Sequence, residues 1–166
     1  MLTAPPLHRR LACLVYEALI LLGLALAAAA AFNLLSALTG LARHHLAERI
    51  ALQAFEFLVL TGYGAGFWSA GRQTIAMKTW RLRLVTPSGL ALTFSRATLR
   101  AVLAWVWVLP PLALSAVLHL SPGRAGLLLC AWVFLWAAAC LLRIDRQYWH
   151  DVLAGTRLVD TATVRM

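Results

Sequence analysis

Acidic residues are scarce in this chain: six Asp and Glu stand against fifteen Lys and Arg. Cysteine is scarcer, and Cys13, Cys130 and Cys140 all fall inside apolar runs with no CxxC pair and no Cys/His cluster. That spacing argues against a disulfide framework or a zinc-type ligand set and leaves three small buried hydrophobes. Enzyme fingerprints are missing too. There is no G-x-S-x-G, no H-E-x-x-H, no phosphate loop and no dinucleotide signature, so we assign no catalytic residue, no cofactor and no metal. His44-His45 has no partner ligands at metal spacing. No extended linker interrupts the chain, and residues 1–166 read as one domain.

What fills the chain is apolar. Hydrophobic residues make up 62% and charged residues 13%, and the mean hydropathy is +0.79. These values point to an integral membrane protein whose first partner is the lipid bilayer. Four stretches are long enough to cross it: about 10–35, 50–68, 100–120 and 125–142. The amino terminus starts like a signal peptide, but its apolar run exceeds the usual core of ~7–15 residues and is expected to be a retained span. The paired prolines Pro110-Pro111 should kink the third span or break it in two. Gly62 and Gly66 on the second form a small-xxx-small pair, read as packing.

Between the second and third spans the chain turns polar and basic. Trp80-Arg-Leu-Arg-Leu-Val85 alternates with period two, Thr86-Pro-Ser-Gly89 is turn chemistry, and Leu90-Ala-Leu-Thr-Phe94 alternates again. This predicts a short cytoplasmic β-hairpin over about 80–94. The expected fold is therefore an all-α membrane protein, a four-helix transmembrane bundle carrying one β-hairpin and a basic tail over 143–166. Twelve basic residues lie in the amino terminus, the second connection and the tail; only Arg43, Arg49 and Arg124 lie in the other two connections. The bias places both termini in the cytoplasm of a bacterial inner membrane. Arg72, Lys78, Arg81 and Arg83 are expected to hold anionic lipid head groups rather than nucleic acid. Trp68, Trp80 and Trp149 fit an interfacial aromatic belt.

Three separated segments carry a resemblance. Arg10-Leu-Ala-Cys-Leu-Val-Tyr-Glu17, then Gly71-Arg-Gln-Thr74 leading to Trp80–Val85 and Arg100, then His150-Asp-Val-Leu-Ala-Gly-Thr-Arg157 together resemble the RDD family of bacterial membrane proteins. The family takes its name from one arginine and two aspartates. The resemblance puts the arginine at Arg10 and the second aspartate at Asp151. Its first aspartate falls on Glu17, a departure that keeps the carboxylate and lengthens it by one methylene. Ala76 stands where the family more often has glycine. The resemblance implies topology, and ion or solute transport has been proposed for some members.

Glu17 is the residue the rest must accommodate, since a charge in hydrocarbon costs at least ~2.5 kcal/mol on insertion scales. Arg100, Arg143 and Arg146 are the expected cationic partners, and Arg10, Glu17, Arg100, His150 and Asp151 are expected to form one polar cluster. Such a cluster either fixes helix register or forms an ion or proton pathway, and Asp151 can also be read as a helix cap. Glu56 on the second span is either a second station on that path or a carboxylate held by Arg49, Arg43, Asn33 or a tyrosine. Two functions are open: cation/proton exchange or other small-solute transport, which needs a homo-oligomer because one small bundle encloses little volume, and a non-transporting scaffold gripping a cytoplasmic protein or anionic lipid.

Overall fold

The computed structural model describes residues 4–39 and 45–161, with His45 described by its backbone alone. The readings made for Arg43 and for the His44-His45 side chains lie outside the described residues.

Helix α1 (Leu7–Thr39) follows Pro5-Pro6, and the Pro6 carbonyl accepts from the amides of Arg9 and Arg10. At 33 residues it is about 50 Å long, well beyond a bilayer core of roughly 30 Å. The other three candidate spans, Leu46–Trp68, Phe94–Val117 and Pro122–Leu142, hold 23, 24 and 21 residues. Near its amino end, Cys13 packs into a core with Ala76, Met77, Leu82, Leu84, Leu92, Ala97 and Leu158. The amino end of α1 thus packs against a small cap formed by Ile75–Thr79, Leu82–Val85 and Arg157–Asp160.

Helix α2 (His45–Trp68) ends in a turn at Ala70-Gly71, both in the left-handed region. A side chain at Gly71 would be strained by the left-handed backbone and would displace the guanidinium of Arg83, which donates to the Gly71 carbonyl at 2.9 Å. Helix α3 (Ile75–Thr79) follows, N-capped by the Thr74 hydroxyl, then strand β1 (Leu82–Val85).

A two-stranded antiparallel sheet is present, and its first strand falls where the alternation of Trp80–Val85 places it. Its partner is not Leu90–Phe94 but β2 (Arg157–Asp160) from the tail, with Leu82 opposite Asp160 and Val85 opposite Arg157. The reason lies in the turn. Thr86 closes it onto Leu90 through both backbone and hydroxyl, and the Leu92 carbonyl then goes to the Ala70 amide. Thr93 caps helix α4 (Phe94–Ala104) immediately afterwards, so no residues remain to pair with β1. The sheet therefore joins the middle of the chain to its end. Leu82 and Leu84 are fully buried, each contributing on the order of 2 kcal/mol of burial. Replacing Thr93 with alanine should cost about 1 kcal/mol, read as a melting shift of a few degrees in detergent.

The third span starts at Phe94, earlier than expected, which moves Arg100 from its end to its second turn. It breaks at a 3-10 turn, Trp105–Trp107, and resumes as α5 (Leu109–Val117) with the prolines in its first turn. Pro110 cannot donate to the carbonyl four residues back, which is that of Val106. Trp132 of α6 (Pro122–Ala138) donates to that carbonyl instead, at 2.9 Å. The proline break is thus stitched to the neighbouring helix, as buried backbone in an apolar medium requires. A 3-10 turn (Ala139–Leu142) leads to the short helix α7 (Trp149–Leu153) and then β2.

Candidate functional site

The polar residues gather where α1, α4 and α7 meet the cap. Helix α7 is closed by Gly155 in the left-handed region, and Thr156 ties back to the Asp151 carbonyl through its amide at 2.8 Å and its hydroxyl at 3.0 Å. This is the local meaning of His150-Asp-Val-Leu-Ala-Gly-Thr: the loop fixes α7 so that two side chains enter the bundle base. The Asp151 side chain does not cap a helix. It accepts from Arg100 Nε at 2.6 Å, with Arg100 only 8% exposed at its side chain and Asp151 fully buried. The Arg100 guanidinium lies 4.1 Å from the Trp68 ring centre.

His150 completes this group. Trp107 Nε1 donates to its Nδ1 at 3.2 Å, and its Nε2 faces the same Asp151 oxygen at 3.4 Å. An indole N–H can only donate, so Nδ1 must be unprotonated and Nε2 carries the hydrogen. Burial pushes the His150 pKa down to about 4, Asp151 opposing and Arg100 adding to the shift. His150 is therefore a neutral, oriented ring at neutral pH.

Arg10 is equally buried but engaged elsewhere. It donates to the Arg146 carbonyl at 2.5 Å and to Cys140 Sγ at 3.1 Å, and lies 4.7 Å from the Tyr148 ring centre. Tyr148 stacks on His150 at 5.7 Å, and burial pushes its phenol up to about 12. Arg10 therefore reaches the Asp151 group through an aromatic layer.

Glu17 is 8% exposed and hydrogen-bonds to none of its expected arginines. Arg100 is bound by Asp151, Arg143 by Asp145 at 3.0 Å, and Arg146 supplies its carbonyl to Arg10. The donor to Glu17 is the Thr74 hydroxyl, at 2.6 Å to Oε2. The same hydroxyl accepts from Met77 N, so one side chain both starts α3 and grips the carboxylate. Tyr63 of α2 also interacts with Glu17. Oε1 of Glu17 and Oδ2 of Asp151 are buried without hydrogen-bond partners among the described residues.

The remaining sequence candidates lie apart. Glu56 is half-buried near the middle of α2, and among the described residues no hydrogen bond or ion pair to it is seen. Asn33 and Arg49 are exposed. Arg72, Lys78 and Arg81 are exposed on the cap, whereas Arg83 is drawn inward to Gly71. Sequence reasoning did not foresee Thr74, Tyr63, Trp107 or Tyr148. Thr74 stood inside the quoted Gly-Arg-Gln-Thr segment, but nothing in its spacing from Glu17 connects the two. No three His, Cys, Asp or Glu side chains converge as a ligand set among the described residues.

The comparisons extend this picture. The RDD family model matches residues 4–155, most of the chain. No curated protein and no solved structure matches it.

Proposed function

The chain belongs to the RDD family, and from that premise we propose that this multi-pass membrane protein exchanges protons for a small cation through the polar base of its bundle. The observation that carries the reading is Glu17: a carboxylate more than nine-tenths buried, held by one hydroxyl, with its second oxygen free. A buried carboxylate without a countercharge in direct contact gains most from a proton or a cation. The Arg100–Asp151–His150 group plays a different part. Its charges are matched and its ring is locked, which suits a fixed joint between α4 and α7.

The skewed distribution of basic residues supports a bacterial inner membrane with both termini in the cytoplasm. In that orientation Arg72, Lys78 and Arg81 meet anionic lipid head groups. Transport through so small a bundle calls for a homo-oligomer.

Reconstituted in vesicles holding a pH-sensitive dye, the protein is expected to move protons when a sodium or potassium gradient is imposed. Glu17→Gln should lower the rate at least tenfold while leaving the melting temperature within a few degrees. Absence of flux in the unmodified protein under every cation gradient, together with co-purification of a stable partner, favours the scaffold reading instead.

A further inference from the structure

We propose that α7 is a strap across the break in the third span, and that its release frees the α5–α6 hairpin to swing about Trp105–Trp107. The third span is one stretch of chain but two pieces of structure. Pro110 and Pro111 withhold the amides that the carbonyls of Val106 and Trp107 would otherwise accept, so the helical ladder is interrupted there. On one side of the break α4 packs on α2, where Trp105 donates to Thr61 at 3.0 Å and stacks on Phe57 at 5.1 Å. On the other side α5 packs on α6, and Trp132 of α6 holds the Val106 carbonyl at 2.9 Å. Two successive residues thus belong to different neighbours, Trp105 to α2 and Val106 to α6. Backbone that changes partners at a proline break is where a hinge forms.

Two successive residues of α7 bridge that point. Asp151 accepts from Arg100 Nε at 2.6 Å, ahead of the break, and His150 Nδ1 accepts from Trp107 Nε1 at 3.2 Å, at its end. Helix α7 is itself anchored, because the β2 strand that follows it pairs with β1 in the cap. The two grips are unequal. A buried charge-assisted pair is stronger than a bond from an indole to a neutral imidazole. The His150–Trp107 contact therefore lets go first, with α7 still docked on α4, and the tail of the chain controls an apolar hairpin. Packing restrains the same ring, since Trp107 sits in a core with Ala137, Cys140 and Tyr148 at the base of α6.

The test separates the bond from the packing. Nitroxide labels at Arg49→Cys on α2 and Arg124→Cys on α6, both exposed positions, report the hairpin by electron-resonance distance measurement in a Cys130→Ser background. Labels at Leu22→Cys on α1 and Arg49→Cys report the remainder of the bundle. His150→Leu removes the acceptor, and Trp107→Phe removes the donor while keeping a ring. Each is expected to broaden the 49–124 distance distribution about twofold and to leave the 22–49 distribution unchanged. His150→Gln, whose amide can accept from Trp107, should leave both distributions as in the parent. A 49–124 distribution unmoved in His150→Leu and Trp107→Phe overturns the strap. Equal broadening in His150→Gln and His150→Leu assigns the restraint to ring packing and overturns the bond. Broadening of the 22–49 pair alongside the other means that the whole bundle loosens, and overturns the hinge.

Discussion

Asp151→Asn is expected to lower the melting temperature of the detergent-purified protein by about 10 °C or more. The substitution keeps shape and removes the charge that faces Arg100 Nε at 2.6 Å. Arg100 would then be a buried cation whose countercharge is gone, with at best a neutral amide oxygen and the Trp68 ring beside it, and breaking one side of a buried pair costs roughly 3–5 kcal/mol. His150 also loses its charged neighbour on Nε2. The decisive comparison is the double replacement Arg100→Met with Asp151→Leu. Removing both charges removes the penalty along with the attraction, so the double variant should recover more than half of the lost stability. A single variant that melts within about 2 °C of the parent would mean that water reaches Arg100 and that the pair is no structural joint.

The four spans were legible because apolar runs of about 20 residues have few alternative fates. The break in the third was legible in Pro110-Pro111, though it opens at Trp105–Trp107, just upstream, where the carbonyls that lose their donors lie. Strand β1 was legible from the alternation at Leu82–Val85, but its partner was not. Period-two patterning reports that a segment is half-buried, not what it pairs with, and the nearest alternating segment was taken for the partner. The strand that pairs lies more than seventy residues away, brought in by α7 and fixed by Gln147, whose side-chain amide brackets the Leu158 backbone at 2.8 Å and 3.0 Å.

The site divides the same way. Residue types at Arg10, Glu17, Arg100, His150 and Asp151 marked them as costly to bury, and all five are buried. Which of them touch depended on rotamers and on the placement of α7 and the cap, which a linear pattern does not encode. Proximity of charge suggested that Glu17 would take an arginine. Asp151 is the nearer acceptor for Arg100, and a neutral hydroxyl from the loop after α2 fills the place at Glu17.

That neutral, locked His150 makes stability depend on acidity in a definite direction. Its pKa is pushed from 6.5 down to about 4, chiefly by burial. Above pH 6.5 neither the folded nor the unfolded chain protonates this ring, and it adds no pH dependence. Between pH 6.5 and 4 the unfolded chain takes up a proton that the folded chain refuses, so stability falls as pH falls. Below about pH 4 both states carry the proton and the loss levels off, at about 3 kcal/mol. Protonation also demands that Nδ1 give up the Trp107 indole, because two N–H donors cannot share that bond. Melting followed by tryptophan fluorescence should therefore be flat from pH 8 to 6.5 and decline steadily to pH 4, with the Trp107 environment changing alongside. In His150→Gln, whose amide can accept from Trp107 but does not titrate, the decline over that window should shrink by more than half. A slope unchanged in His150→Gln would assign the acid sensitivity to the carboxylates and leave the ring out of it.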